Sequence, residues 1–180
     1  MRLELLLRSI LLCLFKSDKI VCNSEIASTL VGYIQVVNFV EGCKSFLQMV
    51  CIAGNADVVR ILLERGASFS PVLQDPLRIA SRNGYVEVVK LLLGWNANGV
   101  RISQENVNNA LKEAVSTTCD IEVIRLLIAY GASVDALNMA LYKTVNYNRV
   151  EIAALLLANG AQPCYTVSGL STYPLVYACR

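Results

Sequence analysis

The sequence predicts an all-α fold, a solenoid of stacked helix-turn-helix units joined by short loop or hairpin fingers. Three observations predict it. The segment GYVEVV at 84–89 is nearly repeated as GYIQVV at 32–37, and looser copies stand in the same register as GNADVV at 54–59, CDIEVI at 119–124 and NRVEIA at 148–153. Each copy opens a helical apolar stripe, and four of the five stripes end at a glycine or asparagine. Such recurrence is typical of repeat architectures.

Each unit contains two short helical patterns. In PLRIASRNG, Leu77 and Ala80 lie on one face of a helix, and in VEVVKLLL the apolar face includes Val88, Leu91 and Leu92. Neither helix could bury so broad an apolar stripe by itself. Neighbouring units are therefore expected to cover each other.

The units align on a leading leucine. Leu47, Leu77, Leu111 and Leu141 are 30, 34 and 30 residues apart (47 to 77, 77 to 111, 111 to 141). The predicted domain organisation is an apolar N-terminal helix or degenerate cap over 1–23, followed by a repeat domain over 24–180. The domain comprises a degenerate repeat at 24–46, four repeats at about 45–73, 75–108, 109–138 and 139–172, and a truncated repeat at 173–180.

Turn and capping residues recur at fixed positions of the units. Just past the second helix the residue is a glycine or asparagine, as a left-handed cap requires: Gly66, Asn96, Gly131 and Gly160. Between the two helices the corresponding residues are Gly54, Gly84 and Asn148. Carboxylates recur in the first turn of each second helix, where they favour the helix dipole: Asp57, Glu87, Glu122 and Glu151. Repetition in four units indicates a structural role for these acids and not a catalytic one.

These residues resemble the ankyrin repeat family, whose pattern is Thr-Pro-Leu-His-x-Ala-Ala, a turn glycine, and Val-Val-x-Leu-Leu-Leu-x-x-Gly-Ala. The resemblance is clear over 47–161, and the second unit matches at Pro76, Leu77, Ala80, Gly84, Val88, Val89, Leu91, Leu92, Leu93 and Ala97. The chain departs from the family at the histidine, which is replaced by Gln48, Arg78, Lys112, Tyr142 and Val176. We expect the hydrogen bonds of that histidine to be missing or remade, with looser stacking than in a consensus array.

Composition excludes several other functions. The chain has 180 residues, of which 55% are hydrophobic, and its 16 basic and 14 acidic residues are interspersed, giving a net charge of +2. This pattern disfavours a nucleic-acid partner. Histidine is absent, which removes the commonest general base and metal ligand. The seven cysteines form no CxxC pair, which favours reduced thiols in an intracellular, cytoplasmic protein.

No catalytic motif stands in the sequence. It contains neither a Gly-rich phosphate loop nor a GxSxG elbow, so we expect no enzyme activity, no cofactor, no metal and no small-molecule substrate.

The resemblance implies a non-catalytic scaffold or adaptor that binds a partner protein through the concave face and loop tips of the array. Two long fingers are predicted, 98–108 and 162–173, and long fingers are the expected specificity elements. The candidate finger residues are Arg101, Gln104, Glu105, Tyr165 and Tyr173, and the candidate first-helix residues are Arg78, Lys112 and Tyr142.

Two alternatives stay open. Residues 1–15, MRLELLLRSILLCLF, could anchor the protein to a membrane, although Glu4 and Arg8 interrupt a segment already shorter than the about 20 residues that a spanning helix needs. The chain could also be a fragment of a larger ankyrin-containing protein with an activity elsewhere.

Overall fold

The structure, a computed structural model, describes residues 40–41, 44–67, 75–95, 102–117 and 120–163. Within these ranges the chain forms one two-stranded hairpin and eight helices. The strands are β1 (Val40–Glu41) and β2 (Lys44–Ser45). The helices are α1 (Phe46–Ala53), α2 (Ala56–Glu64), α3 (Pro76–Asn83), α4 (Val86–Gly94), α5 (Gln104–Ser116), α6 (Ile121–Tyr130), α7 (Val134–Asn146) and α8 (Val150–Ala158).

The helices stack in two rows, which confirms the predicted all-α solenoid. Helices α1, α3, α5 and α7 pack side by side and form the first-helix row. Helices α2, α4 and α6 pack in the same way and, with α8 on α7, form the second-helix row. The four leading leucines are buried between the rows. The short hairpin pairs Val40 with Ser45 and ends directly at α1, as a hairpin finger would.

The predicted turns have the backbone that their residues suggest. Gly54 and Gly84 end the first helix of their units with φ of 73° and 74°, in the left-handed region. Asn148 occupies the corresponding turn with φ of 52°, and it is the one described non-glycine residue with positive φ. Asparagine tolerates this conformation better than other side chains, so its presence there confirms the alignment of the units.

Polar side chains cap most of the helix starts. At α1 the cap is reciprocal, because Gln48 Oε1 accepts the Ser45 N–H at 2.7 Å and Ser45 Oγ accepts the Gln48 N–H at 3.3 Å. Gln48 stands at the position of the family histidine and is buried. In this unit the substituted residue therefore stabilises its own helix start.

Two asparagines join one unit to the next. Asn108 Oδ1 on α5 accepts the backbone N–H of Ser133 at 2.9 Å, and Asn138 Oδ1 on α7 accepts the backbone N–H of Gln162 at 2.6 Å. Each asparagine lies three residues before a leading leucine, so the two bonds are equivalent in successive units. In this chain the hydrogen bonds between a first helix and the following loop are thus made by asparagines three residues before the leading leucine, and not by the residue at the histidine position.

One prediction about the fingers is wrong. The sequence predicts a finger over 98–108, but α5 begins at Gln104, so residues 104–108 are helical. Ser103 Oγ accepts the Asn106 N–H at 3.2 Å and caps this longer helix. Buried Val107 extends the apolar stripe of α5 towards its start. Gln104 and Glu105 are therefore first-turn helix residues.

The six cysteines other than Cys51 lie outside the described residues. Cys51 is a buried free thiol on α1. Burial raises the pKa of the Cys51 thiol, and the nearby Asp75 carboxylate adds to the shift. The thiol is therefore protonated at neutral pH.

We predict that Gly54→Ala destabilises the protein more than Gly84→Ala. Both changes place a Cβ on left-handed backbone, which costs about 1–2 kcal/mol. At Gly54 the new Cβ would also lie 2.7 Å from Cζ of Tyr85, whereas at Gly84 the nearest atom is 3.7 Å away. Moving the Tyr85 ring should cost about 1–3 kcal/mol more. Equal losses in urea unfolding would contradict the packing of Tyr85 against the Gly54 turn.

We also predict that Asn138→Ala lowers the free energy of unfolding by about 1–3 kcal/mol, because the Gln162 N–H loses its acceptor. Asn138 is only 2% exposed, so water is poorly placed to replace the amide. Asn109→Ala is the matched control, since Asn109 is exposed on α5. A loss no larger than that of the control would show that the bridge does not hold the units together.

Candidate partner-binding surface

The first-helix row brings three of the predicted site residues together. Arg78, Lys112 and Tyr142 each follow a leading leucine, and they lie on α3, α5 and α7, which are successive neighbours in the row. Arg78 is exposed, and Lys112 and Tyr142 are half-buried. The shared register predicted this arrangement.

Glu113 holds two arginines on this row. Its Oε2 lies 3.4 Å from Arg78 Nη2, and its Oε1 lies 3.9 Å from Arg82 Nη1. The side chains of Arg78 and Arg82 are 51% and 63% exposed, but that of Glu113 is only 23% exposed. The carboxylate therefore sits below two guanidinium groups that face solvent. Thr117 Oγ1 adds a second link between these helices by donating to the Arg82 carbonyl at 3.0 Å.

Lys143 continues the basic surface onto α7. Its Nζ donates to Ser116 Oγ at 2.6 Å and to the Lys112 carbonyl at 3.1 Å. Ser116 Oγ donates in turn to the same carbonyl at 2.7 Å. The ammonium is thus fixed by neutral oxygens, and no acidic partner is recorded for it among the described residues. We call Arg78, Arg82, Lys112 and Lys143, with Glu113 among them, the basic patch.

The helices of the second-helix row contain more acidic than basic residues, the reverse of the basic patch. Its helices contain five acidic residues (Asp57, Glu64, Glu87, Glu122 and Glu151) and three basic ones (Arg60, Lys90 and Arg125). Lys90 Nζ lies 2.9 Å from Glu87 Oε1, and this hydrogen bond raises the pKa of Lys90. Arg60 lies 3.9 Å from Asp57 in the same i,i+3 arrangement. Arg60 and Lys90 are therefore paired within their own helices, whereas Arg78 and Arg82 of the basic patch pair with Glu113 on a neighbouring helix.

A cavity of about 530 Å³ opens where the second helices of two units end beside the start of α5. Gln104 lies at this cavity, and its Nε2 donates to the Gly131 carbonyl at 3.2 Å. Glu105 is exposed in the same helical turn. The cavity is lined by Leu93, Gly94, Ile102, Gln104, Val107, Ala129, Tyr130 and Gly131.

Comparisons with known proteins agree with this geometry. A family model for ankyrin repeats, written for three copies, matches residues 19–106 and again 77–167, which together exceed half of the chain. The chain belongs to the ankyrin repeat family.

Two relatives show how far the similarity extends. An ankyrin repeat protein of Acanthamoeba polyphaga mimivirus, L66, is 28% identical over 118 residues, which are 66% of this chain and 19% of that protein. The chain thus spans about a fifth of that relative's length. The ankyrin repeat domain of Bcl-3, described as a unique member of the IkappaB protein family, matches with a TM-score of 0.73 at 25% identity. That match covers 87% of this chain and 75% of the Bcl-3 chain.

Ankyrin repeats are generally protein-protein interaction modules.

The basic patch includes two residues that the sequence did not indicate. Arg82 and Lys143 were missed because they stand five and two residues after their leading leucines and share no register with the candidates. The available signal was that each is a basic residue on a first helix. Arg101, Tyr165 and Tyr173 lie outside the described residues, so their predicted role in the fingers stays a prediction.

None of the described helices of this ankyrin array combines the length and the hydropathy that a bilayer-spanning helix needs. Residues 1–15 lie outside the described part of the chain.

Asp75 caps the ankyrin helix that carries Arg78. Its Oδ1 accepts the Leu77 N–H at 3.0 Å, while the buried Oδ2 has no hydrogen-bond partner within the described ranges. Burial raises the pKa of Asp75, and the Leu77 N–H and the Arg78 charge oppose that shift. The folded chain therefore holds this proton more tightly than the unfolded chain. Protonated Asp75 therefore stabilises the folded chain at acid pH, and this stabilisation is lost as the pH rises through the pKa of Asp75 in the folded chain.

We predict that Asp75→Asn raises the melting temperature at pH 7, because an asparagine oxygen still caps α3 without a buried charge. The gain should shrink as the pH falls towards the ordinary carboxyl pKa of about 4. Asp120→Asn is the matched control, since Asp120 Oδ1 caps α6 through the Glu122 N–H at 2.9 Å and is exposed. A lower melting temperature for Asp75→Asn at pH 7 would contradict the dominance of burial.

Proposed function

We propose that this protein is a non-catalytic scaffold or adaptor that binds a partner protein through its first-helix row and its loop tips. The observation that carries the proposal is the alignment of exposed and half-buried polar side chains on α3, α5 and α7 of an ankyrin array. Packing accounts for the apolar side of these helices, which is buried against the second-helix row. Arg78 and Arg82 lie on the other side of α3, where more than half of each side chain is exposed to solvent.

The rigidity of the row supports the proposal. Two hydrogen bonds hold the Lys143 ammonium on α5, and Glu113 of the same helix forms ion pairs with Arg78 and Arg82 of α3. Side chains that are already ordered lose less conformational entropy when a partner binds. Contacts of this kind between neighbouring helices favour one arrangement of the row, to which a partner can be complementary.

The loop tips supply the second part of the proposed surface. Gln104 bridges to Gly131 at the rim of the 530 Å³ cavity, and Tyr130 on the same rim is an exposed aromatic side chain. Aromatic residues beside a concave site are common anchors for a partner. The predicted finger residues Arg101, Tyr165 and Tyr173 would extend this part of the surface. An intracellular location belongs to the same proposal, supported by the buried free thiol of Cys51.

Affinity capture from an extract of the source cells tests the proposal. The full chain is the bait, beside a first-row variant (Lys112→Ala with Tyr142→Ala) and a finger variant (Arg101→Ala, Tyr165→Ala and Tyr173→Ala). A second-row variant, Lys90→Ala with Arg125→Ala, is the matched control, because both side chains are exposed on α4 and α6. Circular dichroism first establishes that each bait is folded.

The expected result is a stoichiometric protein that the natural chain and the second-row variant retain equally. Its recovery should fall at least tenfold with the first-row variant, about the effect of losing 1.4 kcal/mol of binding free energy, and also fall with the finger variant. A partner lost only with the second-row variant would place binding on the opposite side of the array. Recovery of chaperones alone by every bait would contradict a specific scaffold.

A further inference from the structure

The charge distribution indicates what kind of partner fits the first-helix row. Across α3, α5 and α7 the basic patch has four basic side chains, and two acidic groups lie near them, Glu113 and Asp75. The acids of this row that remain, Glu105 and Asp135, stand in the first turns of α5 and α7, away from the patch along the helix. The patch therefore keeps a positive excess that the fold itself does not neutralise.

Lys143 contributes a positive charge that is held by neutral oxygens of α5. An ammonium has three N–H donors, and two of those of Lys143 go to Ser116 Oγ and the Lys112 carbonyl. The third has no hydrogen-bond acceptor among the residues that the structure describes. Because both acceptors are neutral oxygens, they hold the ammonium in place without cancelling its charge. An anion at the patch can therefore pair with that charge.

The spacing of the patch limits the shape of that anion. Neighbouring packed helices lie about 8–10 Å apart, so the span from α3 to α7 is about 20 Å. An extended peptide rises about 3.3 Å per residue, and about six residues would cross the three helices. Alternate side chains of such a peptide point to the same side, about 7 Å apart, so that several carboxylates can face the basic side chains together.

We infer that the basic patch is the docking surface for an extended acidic segment of the partner protein. This inference rests on the proposed function and adds the chemistry of the partner. Carboxylates of the segment would pair with Arg82, Lys112 and Lys143, while Arg78 stays bridged to Glu113. The second-helix row is the less favourable side for such a segment, because acidic residues outnumber basic ones five to three within its helices.

Fluorescence anisotropy with three labelled 12-residue peptides tests the inference on the full chain. The probes alternate serine with glutamate, with glutamine or with lysine. The glutamate probe should bind at least tenfold more tightly than the glutamine probe, and its affinity should fall as NaCl rises from 50 to about 300 mM, because salt screens exposed charges. Equal binding of the glutamate and glutamine probes would overturn the inference.

Charge reversal locates the binding. Arg82→Glu with Lys112→Glu should abolish binding of the glutamate probe, whereas Arg60→Glu with Arg125→Glu makes the same change in net charge on the second-helix row and should preserve it. If the first variant fails to fold, Arg82→Gln with Lys112→Gln takes its place, with an expected loss of at least tenfold. Equal losses in the two rows would show attraction to overall charge and would overturn the assignment to the patch.

A 12-nucleotide single strand is the remaining probe. If it binds through the same residues more tightly than the glutamate probe, the patch is a phosphate-binding surface and the inference of a protein segment is wrong.

The affinity capture described under the proposed function distinguishes failure of this inference from failure of that function. A captured partner that needs the first-helix row but binds it through neutral or basic segments would overturn this inference and leave the proposed function standing.

Discussion

The structure depends on one constraint, that no helix pair in this chain can bury its apolar side chains by itself. In α4, Val88, Val89 and Leu92 are all buried, and they lie on a helix of nine residues that has neighbours in both rows. Stacking is therefore the source of the core. Left-handed turns at Gly54, Gly84 and Asn148 reverse the chain, so that the second helix of each unit lies beside the first helix of the same unit.

The same constraint determines which side chains are available for function. One side of every helix is buried in the core. The other side of the first-helix row consists of residues that differ between units. Glu113 lies below Arg78 and Arg82, and Lys143 is fixed over α5, so polar contacts there join neighbouring units as well as facing solvent. Surface and stacking are consequently coupled, and a partner bound across α3, α5 and α7 would also stabilise the stack.

Local features of the fold could be predicted from the sequence, and contacts between units could not. The turn at Asn148 and the carboxylates in the first turns follow from residue type and register, because they act within one unit. The bridge from Asn138 to Gln162 joins residues of different elements, and the start of α5 at Gln104 depends on the Ser103 cap and on burial of Val107. The contacts of Arg82 with Glu113 and of Lys143 with Ser116 likewise depend on the packing of α3, α5 and α7 against one another.

The central claim, that the units fold together because they complete each other's core, can be tested with the single tryptophan. Trp95 follows α4, is half-buried and packs against the core. Urea unfolding should be recorded by Trp95 fluorescence and by far-ultraviolet circular dichroism on the same samples. The account predicts one transition with a shared midpoint and slope, because loss of one unit exposes its neighbours. A fluorescence transition well separated from the loss of helix would contradict it.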